Sequence, residues 1–588
     1  VLSAGVRIGT ALKALASRLR NRTRSLLEAS PWVSLGFSIV FLYIATYGLL
    51  VGWVYTTSGR VTYYARFFHG YESALLLVAT LLSLYSATAS LGFSKLRLLV
   101  ALAYVALAVL TYLLRPQLLY IPYAAPVVLI LGIHRSRALR SLIRGLAISV
   151  ALVELPALAY RVGTLLGLQL SVLESAHLFS SYLNSSLWYI SILVAVAVLL
   201  ALLASLRLRR LPVSESGQGA GEEVYLALAL LVALAVGLAG FSPAVNPRKV
   251  PIDVDWIHYY RWLSTMVESA NPVAVAVELA GDRAAFLLVL YAVAKIFKVN
   301  LLNLCVHMEV VLLQLYTLAS YYVAREYFGY GVARYAALLA PLTPHALSFI
   351  YGGFQADLFS LTITYLALGL SAKPSLRRLP LVLALSVLAS LTHAWTWLQF
   401  AALVATYVAF STVVSIVRRG KPRSFLALAP YVAYIASSTL AYLALRTHIH
   451  SKALDNFEKN VRLLWTTVAT RTPDAASLWR NSAFYFNIYT GGTLTNYVYW
   501  PLVLASSLAT QAHALLYVVT SLPLAVALAM YAYTAQSSLL AYRVTVNIPT
   551  HLAVARLFER MPASARVALY LSLLSLALGR VLSIVPKA

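Results

Sequence analysis

The chain of 588 residues has one cysteine, four methionines and 19 acidic residues against 46 lysines and arginines. A lone cysteine, Cys305, rules out an intramolecular disulfide and any cysteine-based zinc site. It lies in an apolar run and reads as a small buried hydrophobe. Charge is scarce as well: 11% of residues are charged, 61% are hydrophobic, and the mean hydropathy is +0.79. That balance excludes an ordinary soluble enzyme. The alternating ten-residue segments of a membrane β-barrel are missing too. The sequence contains no P-loop, no His-Glu-x-x-His, no Gly-x-Ser-x-Gly and no heptad array. Its two halves show no inverted repeat of the kind found in many transporters.

What remains is a series of apolar stretches, each about 20 residues long and so matched to the hydrocarbon thickness of a bilayer. The expected fold is all-α, a polytopic transmembrane bundle of about 13–14 spans. The net charge of +27 does not point to nucleic acid, because the basic residues punctuate the ends of apolar runs. Membrane topology and anionic lipid account for that pattern better.

Residues 1–30 carry Arg7, Lys13, Arg18, Arg20, Arg22 and Arg24 among alanines and leucines. They read as a basic amphipathic segment on the cytoplasmic surface of the cell membrane rather than as a cleavable signal peptide. Residues 31–210 then form a first module of about six spans, from Val33–Tyr55 to Leu187–Leu206. A sequon at Asn184-Ser185-Ser186 is expected in an external loop. Residues 211–222 are a Gly-, Ser- and Glu-containing cytoplasmic linker. The second module, 223–588, opens with a span over Val224–Phe241 that runs outward and delivers a long external loop, 242–283.

That loop holds Asp253, Asp255, Glu268, Glu278 and Asp282. Beyond it, Ala284–Val299 is apolar but short. If it fails to cross, Arg325, Arg334, Lys373, Arg377 and Arg378 all fall inside, which the positive-inside bias favours. Arg334–Phe354 then runs outward and brings Asp357 to the external face. Thr392 to Trp397 return there on the next pair of spans. A second external loop, 446–496, mixes Trp465, Trp479, Tyr485 and Tyr489 with charged residues and reads as interfacial helices, a candidate lid. Late in the chain, Arg543 and Arg580 fall near external ends.

Each feature has an ordinary explanation beside a chemical one. Asp253-Val254-Asp255 in an extended segment puts two carboxylates on one side, suited to a divalent metal or to acid–base work. Equally, the acids could cap a helix starting near Trp256. Asp282 reads as the N-cap of the next helix, and Arg283 as an interfacial anchor. Asp357 is an N-cap or an intramembrane functional acid. His393 is a ligand, a proton carrier or a hydrogen-bonded structural residue. Trp395 and Trp397 suit an interfacial belt better than a sugar platform. Glu154 and Glu309 stand isolated, and Glu268 and Glu278 read as the wet faces of surface helices.

From about residue 222 onward the chain resembles the GT-C superfamily of integral-membrane glycosyltransferases. That group includes protein O-mannosyltransferases, oligosaccharyltransferase catalytic subunits and archaeal membrane proteins. The resemblance is carried by Asp253-Val254-Asp255 with Tyr259 and Tyr260, and by Asp282-Arg283 opening an apolar helix. Tyr351-Gly352-Gly353-Phe354, Thr392-His393-Ala394-Trp395-Thr396-Trp397 and Tyr542-Arg543 complete it. The Trp-Trp-Asp-type motif of oligosaccharyltransferases is absent, and acceptor recognition is expected to come from membrane loops, with no soluble domain expected after the bundle.

The resemblance implies inverting transfer of a sugar from a polyprenyl-phosphate donor to a protein or glycolipid acceptor on the external face. In that reading Asp253 or Asp255 is the base, while Asp357 or His393 assists or helps to hold a divalent metal (Mg or Mn). Arg543, Arg580 or Arg283 binds the phosphate, and His258, Tyr259 and Trp395 line the substrate. Two other classes stay open. A transporter or flippase of amphipathic solutes would need a continuous polar path between the faces. A non-catalytic scaffold would copurify with a stoichiometric partner.

Overall fold

The computed structural model describes residues 139–185, 221–419, 425–447, 452–470, 514–531, 542–561 and 563–585. It also describes two short strands and residues 106, 472, 481 and 503. The amphipathic segment 1–30, most of the first four spans, the Leu187–Leu206 span, most of the linker, and Tyr485 and Tyr489 lie outside these residues, as does Trp479.

Apart from one antiparallel pair, β1 (Gly52–Tyr55) with β2 (Val61–Tyr64), the regular elements among the described residues are helices. The expected first span, Val33–Tyr55, therefore ends in a strand: Gly52–Tyr55 is a β-branched and aromatic run that pairs instead of continuing a helix. Among the described residues, four helices are long and apolar enough to cross a membrane: Leu301–Phe328, Ala394–Val417, Ala427–Arg446 and Ala563–Ile584.

Two compact units are present. The first comprises Val1–Tyr160, Ser171–Leu183 and Met561–Ser572. In it, α1 (Leu139–Leu165, as far as Tyr160) packs with α2 (Ser171–Ser185). Glu154 is not isolated, because its Oε1 accepts a 2.7 Å hydrogen bond from Ser180. Tyr160 stacks on His177. Asn184 of the sequon sits in the last turn of α2 rather than in a loop.

The second unit contains the candidate site. α3 (Glu222–Ala239) is apolar along its whole length, with buried Ala229, Ala233 and Val236 on one face and exposed Leu231, Leu234 and Leu238 on another. α4 (Trp256–Glu268) is amphipathic, burying Tyr259, Leu263 and Met266, and α5 (Pro272–Ala280) follows it. Glu268 and Glu278 are exposed, as expected of wet helix faces. A 3-10 turn at Gly281–Arg283 leads into α6 (Ala284–Phe297).

At 14 residues, α6 is about 21 Å long, short of a hydrocarbon core about 30 Å thick. It ends at Lys298 in the left-handed conformation, and α7 (Leu301–Phe328) starts at once, with Asn300 accepting from the backbone N–H groups of Leu302 and Asn303. α7 begins at the same end of the bundle as α6, because Cys305 and Glu309 near its start meet Gln355 and the Asp253 loop, which also faces Arg283.

The expected span Arg334–Phe354 is broken into α8 (Tyr330–Leu339), a 3-10 turn at Ala340–Leu342 and α9 (Pro344–Gly352). Pro341 and Pro344 interrupt the backbone ladder, and Thr343 repairs it by accepting from Ala346 N–H. Such a break is tolerated at membrane depth only inside protein, and this one is buried.

α10 (Gln355–Ser371), α11 (Leu379–Ser390), α12 (Ala394–Arg419) and α13 (Phe425–Arg446) then run back and forth. α14 (Lys452–Thr470), α15 (Ala514–Tyr531), α16 (Thr550–Arg560) and α17 (Ala563–Ile584) follow. α7 packs tightly on α10, where Gly369 leaves only enough room for Tyr322 and Val323. One end of this bundle is basic: Glu326 holds Lys373 at 3.2 Å and Arg378 at 3.3 Å, and Arg556 lies over Phe328. The other end gathers the Asp253 loop, the start of α10 and the start of α12.

At that polar end Gly353, at φ +73°, packs against the Asp253–Asp255 loop. A Cβ there would lie 2.6 Å from Asp255 N and 2.8 Å from Asp255 Cβ. Gly353→Ala should therefore cost the left-handed backbone penalty of about 1–2 kcal/mol and a further overpacking cost of about 1–3 kcal/mol. Unfolding of the detergent-solubilised protein measures the loss, and a loss no larger than the backbone penalty alone would show that the loop contact is unimportant.

Candidate active site

Asp253 and Asp255 do not act as a matched pair. Asp253 is buried, and its Oδ1 accepts from Trp256 N–H at 2.6 Å, capping α4. Its carboxyl also lies within hydrogen-bonding reach of Glu309 on α7. Asp255 occupies the N-cap position without a side-chain cap, so its carboxylate is left to face Arg283 at 3.8 Å. Burial pushes Asp255 above its ordinary pKa, against the pull of Arg283, His258 and Arg543. Burial likewise raises Asp253.

The two carboxyls thus face different groups. One carboxyl turns inward to an acid, and the other turns to guanidinium groups that oppose a cation. Among the described residues, no cluster of three or more His, Cys, Asp or Glu side chains is placed to hold a metal.

Tyr259, one turn into α4, is fully buried and fastens the corners together. Its hydroxyl lies 3.4 Å from Arg283 Nη1 and 3.4 Å from Ala356 N–H, both donors. Burial pushes this phenol up to about 12, which keeps it protonated at neutral pH. Burial works against the charge of Arg283, but Tyr259, Asp282 and Asp255 outweigh it and raise its pKa. His258 points away from the interior: it is exposed and its ring lies 6.0 Å from that of Trp262.

Asp282 is not the N-cap of the helix that follows it. Position and cap separate here, because Arg283 is the N-cap residue of α6 and makes no side-chain cap bond. Asp282 Oδ2 instead accepts from Ala394 N–H at 3.3 Å, capping α12 from 112 residues away. Ala285 N–H reinforces the join by donating to Leu391 O. Burial raises the Asp282 pKa, opposed first by Arg283.

Asp357 sits in the first turn of α10, buried, and its Oδ1 accepts from Thr396 Oγ1. His393 Nδ1 lies 3.6 Å from the same oxygen and 2.7 Å from Thr396 Oγ1. Burial, then Arg283 and Arg543, hold His393 well below its ordinary pKa, so it meets Asp357 as a neutral ring. The cations within electrostatic reach of Asp357 are Arg543 and Arg283.

Arg543 lies on a single helical turn, 542–546, that is tied to α12. Gln399 Nε2 donates to Val544 O at 2.9 Å, while Asn547 Nδ2 donates to Gln399 Oε1 and lies 3.4 Å from Thr396 Oγ1. The electrostatic reach of Arg543 covers Asp255, Asp282 and Asp357. Among the described residues, no carboxylate engages it at ion-pair distance.

The structure thus brings Asp255, Asp282, Arg283, Asp357, His393 and Arg543 to one end of the bundle. Trp395 is buried at 7% exposure and Trp397 stacks on Tyr442, so neither is a surface belt or an open platform. Arg580 follows Gly579, which packs on Arg161. Thr396, Gln399, Asn547 and Tyr259 build the site as much as the charged residues do. Glu309, which stands isolated in sequence, lies beside Asp253 and Gln355. α14 packs on the Gly281–Arg283 turn, and Arg446 pairs with Glu458 of α14. No family model matches this chain, and no match to a curated protein was found.

Because Asp282 caps α12, Asp282→Ala should lower stability by about 1 kcal/mol. Asp282→Asn keeps an acceptor and removes a buried charge, so it should remain within about 0.5 kcal/mol of wild type. Equal losses for the two variants in chemical unfolding would contradict the cap.

Proposed function

We propose that this chain is a membrane glycosyltransferase of the GT-C kind, moving a sugar from a polyprenyl-phosphate donor to an acceptor on the external face. A single observation carries the reading: Asp255 lies 3.8 Å from Arg283 and within electrostatic reach of Arg543, at the end of the bundle opposite the basic residues. The positive-inside bias makes the basic end cytoplasmic and this end external. A cavity of about 230 Å³ lined by Tyr327, Tyr365, Phe400, Tyr431, Leu516 and Leu552 lies deeper in the bundle, toward the basic end.

The chemistry asks for a base and for positive charge on the leaving group. Asp255 takes the proton of the acceptor hydroxyl as that oxygen forms a bond to the anomeric carbon. The bond from that carbon to the phosphate oxygen breaks on the opposite side. The lipid phosphate departs with its electron pair onto Arg543 and Arg283. Asp357, fixed by Thr396 and His393, balances the two guanidinium groups and orients the sugar. Sequence resemblance and this geometry together support the assignment, and α14 is placed to cover the reacting groups.

Transfer of labelled sugar in proteoliposomes tests it. Asp255→Asn should lower the rate by about 10²–10⁴, the usual worth of a general base. Arg543→Ala should cost about 10²–10³. Wild-type activity in an Asp253→Asn, Asp255→Asn double variant would sink the assignment. Because Asp255 must be ionised to act and its pKa is raised, activity should climb with pH through a limb above about 3.9, the ordinary Asp value. Arg283 favours the Asp255 carboxylate, so Arg283→Gln should move that limb to higher pH; a shift to lower pH would exclude Asp255 as the base.

A further inference from the structure

The inward-facing carboxyl of Asp253 lies in a second polar cluster that the transfer chemistry does not use. Glu309, 2% exposed on α7, lies within hydrogen-bonding reach of it. Gln355, fully buried at the start of α10, donates through Nε2 to Glu309 Oε1 at 3.0 Å and to Cys305 O at 2.7 Å. Two of the oxygens gathered here have no hydrogen-bond partner: Asp253 Oδ2 and Gln355 Oε1. Both belong to side chains more than nine-tenths buried.

Among the described residues, no basic group is paired with these carboxyls. The titratable neighbours of Asp253 and Glu309 are each other, Asp255, the Cys305 thiol and the Tyr351 hydroxyl, whose proton is given to Val236 O. Arg283 and Arg543 act on Asp255 and Asp357 but not on this pair. Two ionised carboxylates buried without a counter-charge would cost several kcal/mol each. A proton shared between them would satisfy one pair of oxygens and still leave Gln355 Oε1 without a donor. A cation bound among these groups would give the free oxygens a partner, and an oxygen donor set suits a hard ion.

We propose that Asp253, Glu309 and Gln355 form a buried site for a hard cation, which clamps the loop carrying Asp255 onto α7 and α10. The ion is structural: its partners Asp253, Glu309 and Gln355 are not the groups assigned to sugar transfer. The inference is independent of the transferase reading, and its test uses no activity.

The experiment is thermal unfolding of the full chain in detergent at neutral pH, in sodium, magnesium or calcium chloride against choline chloride at equal ionic strength. At least one of the three cations should raise the midpoint by several degrees, saturably. Glu309→Gln and Gln355→Leu should each abolish that increment. Should a variant fail to fold, equilibrium dialysis of the wild type with radioactive sodium and calcium, and with magnesium by elemental analysis, reads the site directly. About one ion retained per chain supports the proposal. Identical midpoints in all four salts, with no ion retained, would overturn it. So would stabilisation by acid alone, which would assign a shared proton instead.

Discussion

The second unit depends on a helix that is too short. At 14 residues, α6 cannot traverse the hydrocarbon layer, and Lys298 and Asn300 turn the chain back into α7. Every later helix inherits its direction from that reversal. Had α6 crossed, Asp357 and His393 would lie at the opposite end of the bundle from Asp255. Because it does not, the starts of α10 and α12 reach the Asp253 loop, while Glu326, Lys373, Arg378 and Arg556 are gathered at the other end.

The polar end is then held by groups that satisfy each other across long stretches of sequence. Asp282 caps α12, Tyr259 serves both Arg283 and the first turn of α10, and the Thr396–Asn547–Gln399 chain fixes the turn that carries Arg543. In an apolar bundle an unpaired polar group is costly, so such links specify one arrangement among the many that apolar packing alone would allow. Gly353 adds a steric condition, because only a residue without a side chain lets α9 end against Asp255.

Several roles were written plainly in the sequence. The basic residues at span ends, the shortness of Ala284–Val299 and the wet faces of Glu268 and Glu278 follow from hydropathy and charge alone. The division of labour within Asp253-Val254-Asp255 does not. An i, i+2 spacing puts both carboxylates on one side only in an extended strand, and here Asp255 already has helical backbone angles at the head of α4. Glu309 stood alone in its span because its partners are a loop more than fifty residues upstream and a glutamine 46 residues downstream. Thr396, Gln399 and Asn547 carry no charge and match no motif, so only their hydrogen bonds reveal them. The tryptophans misled for a similar reason: aromatic composition near a span end looks the same whether the ring meets lipid or, like Trp397, stacks on Tyr442 inside the bundle.

By itself the sequence determined that this protein is apolar, helical and built to lie in a membrane, and which polar corners it could bring together. Hydropathy and charge are local properties and survive in one dimension. Only the tertiary structure decided which carboxylate faces the arginines, which one turns inward to Glu309, and which acid caps a helix far along the chain. Those choices depend on where side chains separated by tens to hundreds of residues meet, and on the cost of burying a polar atom without a partner.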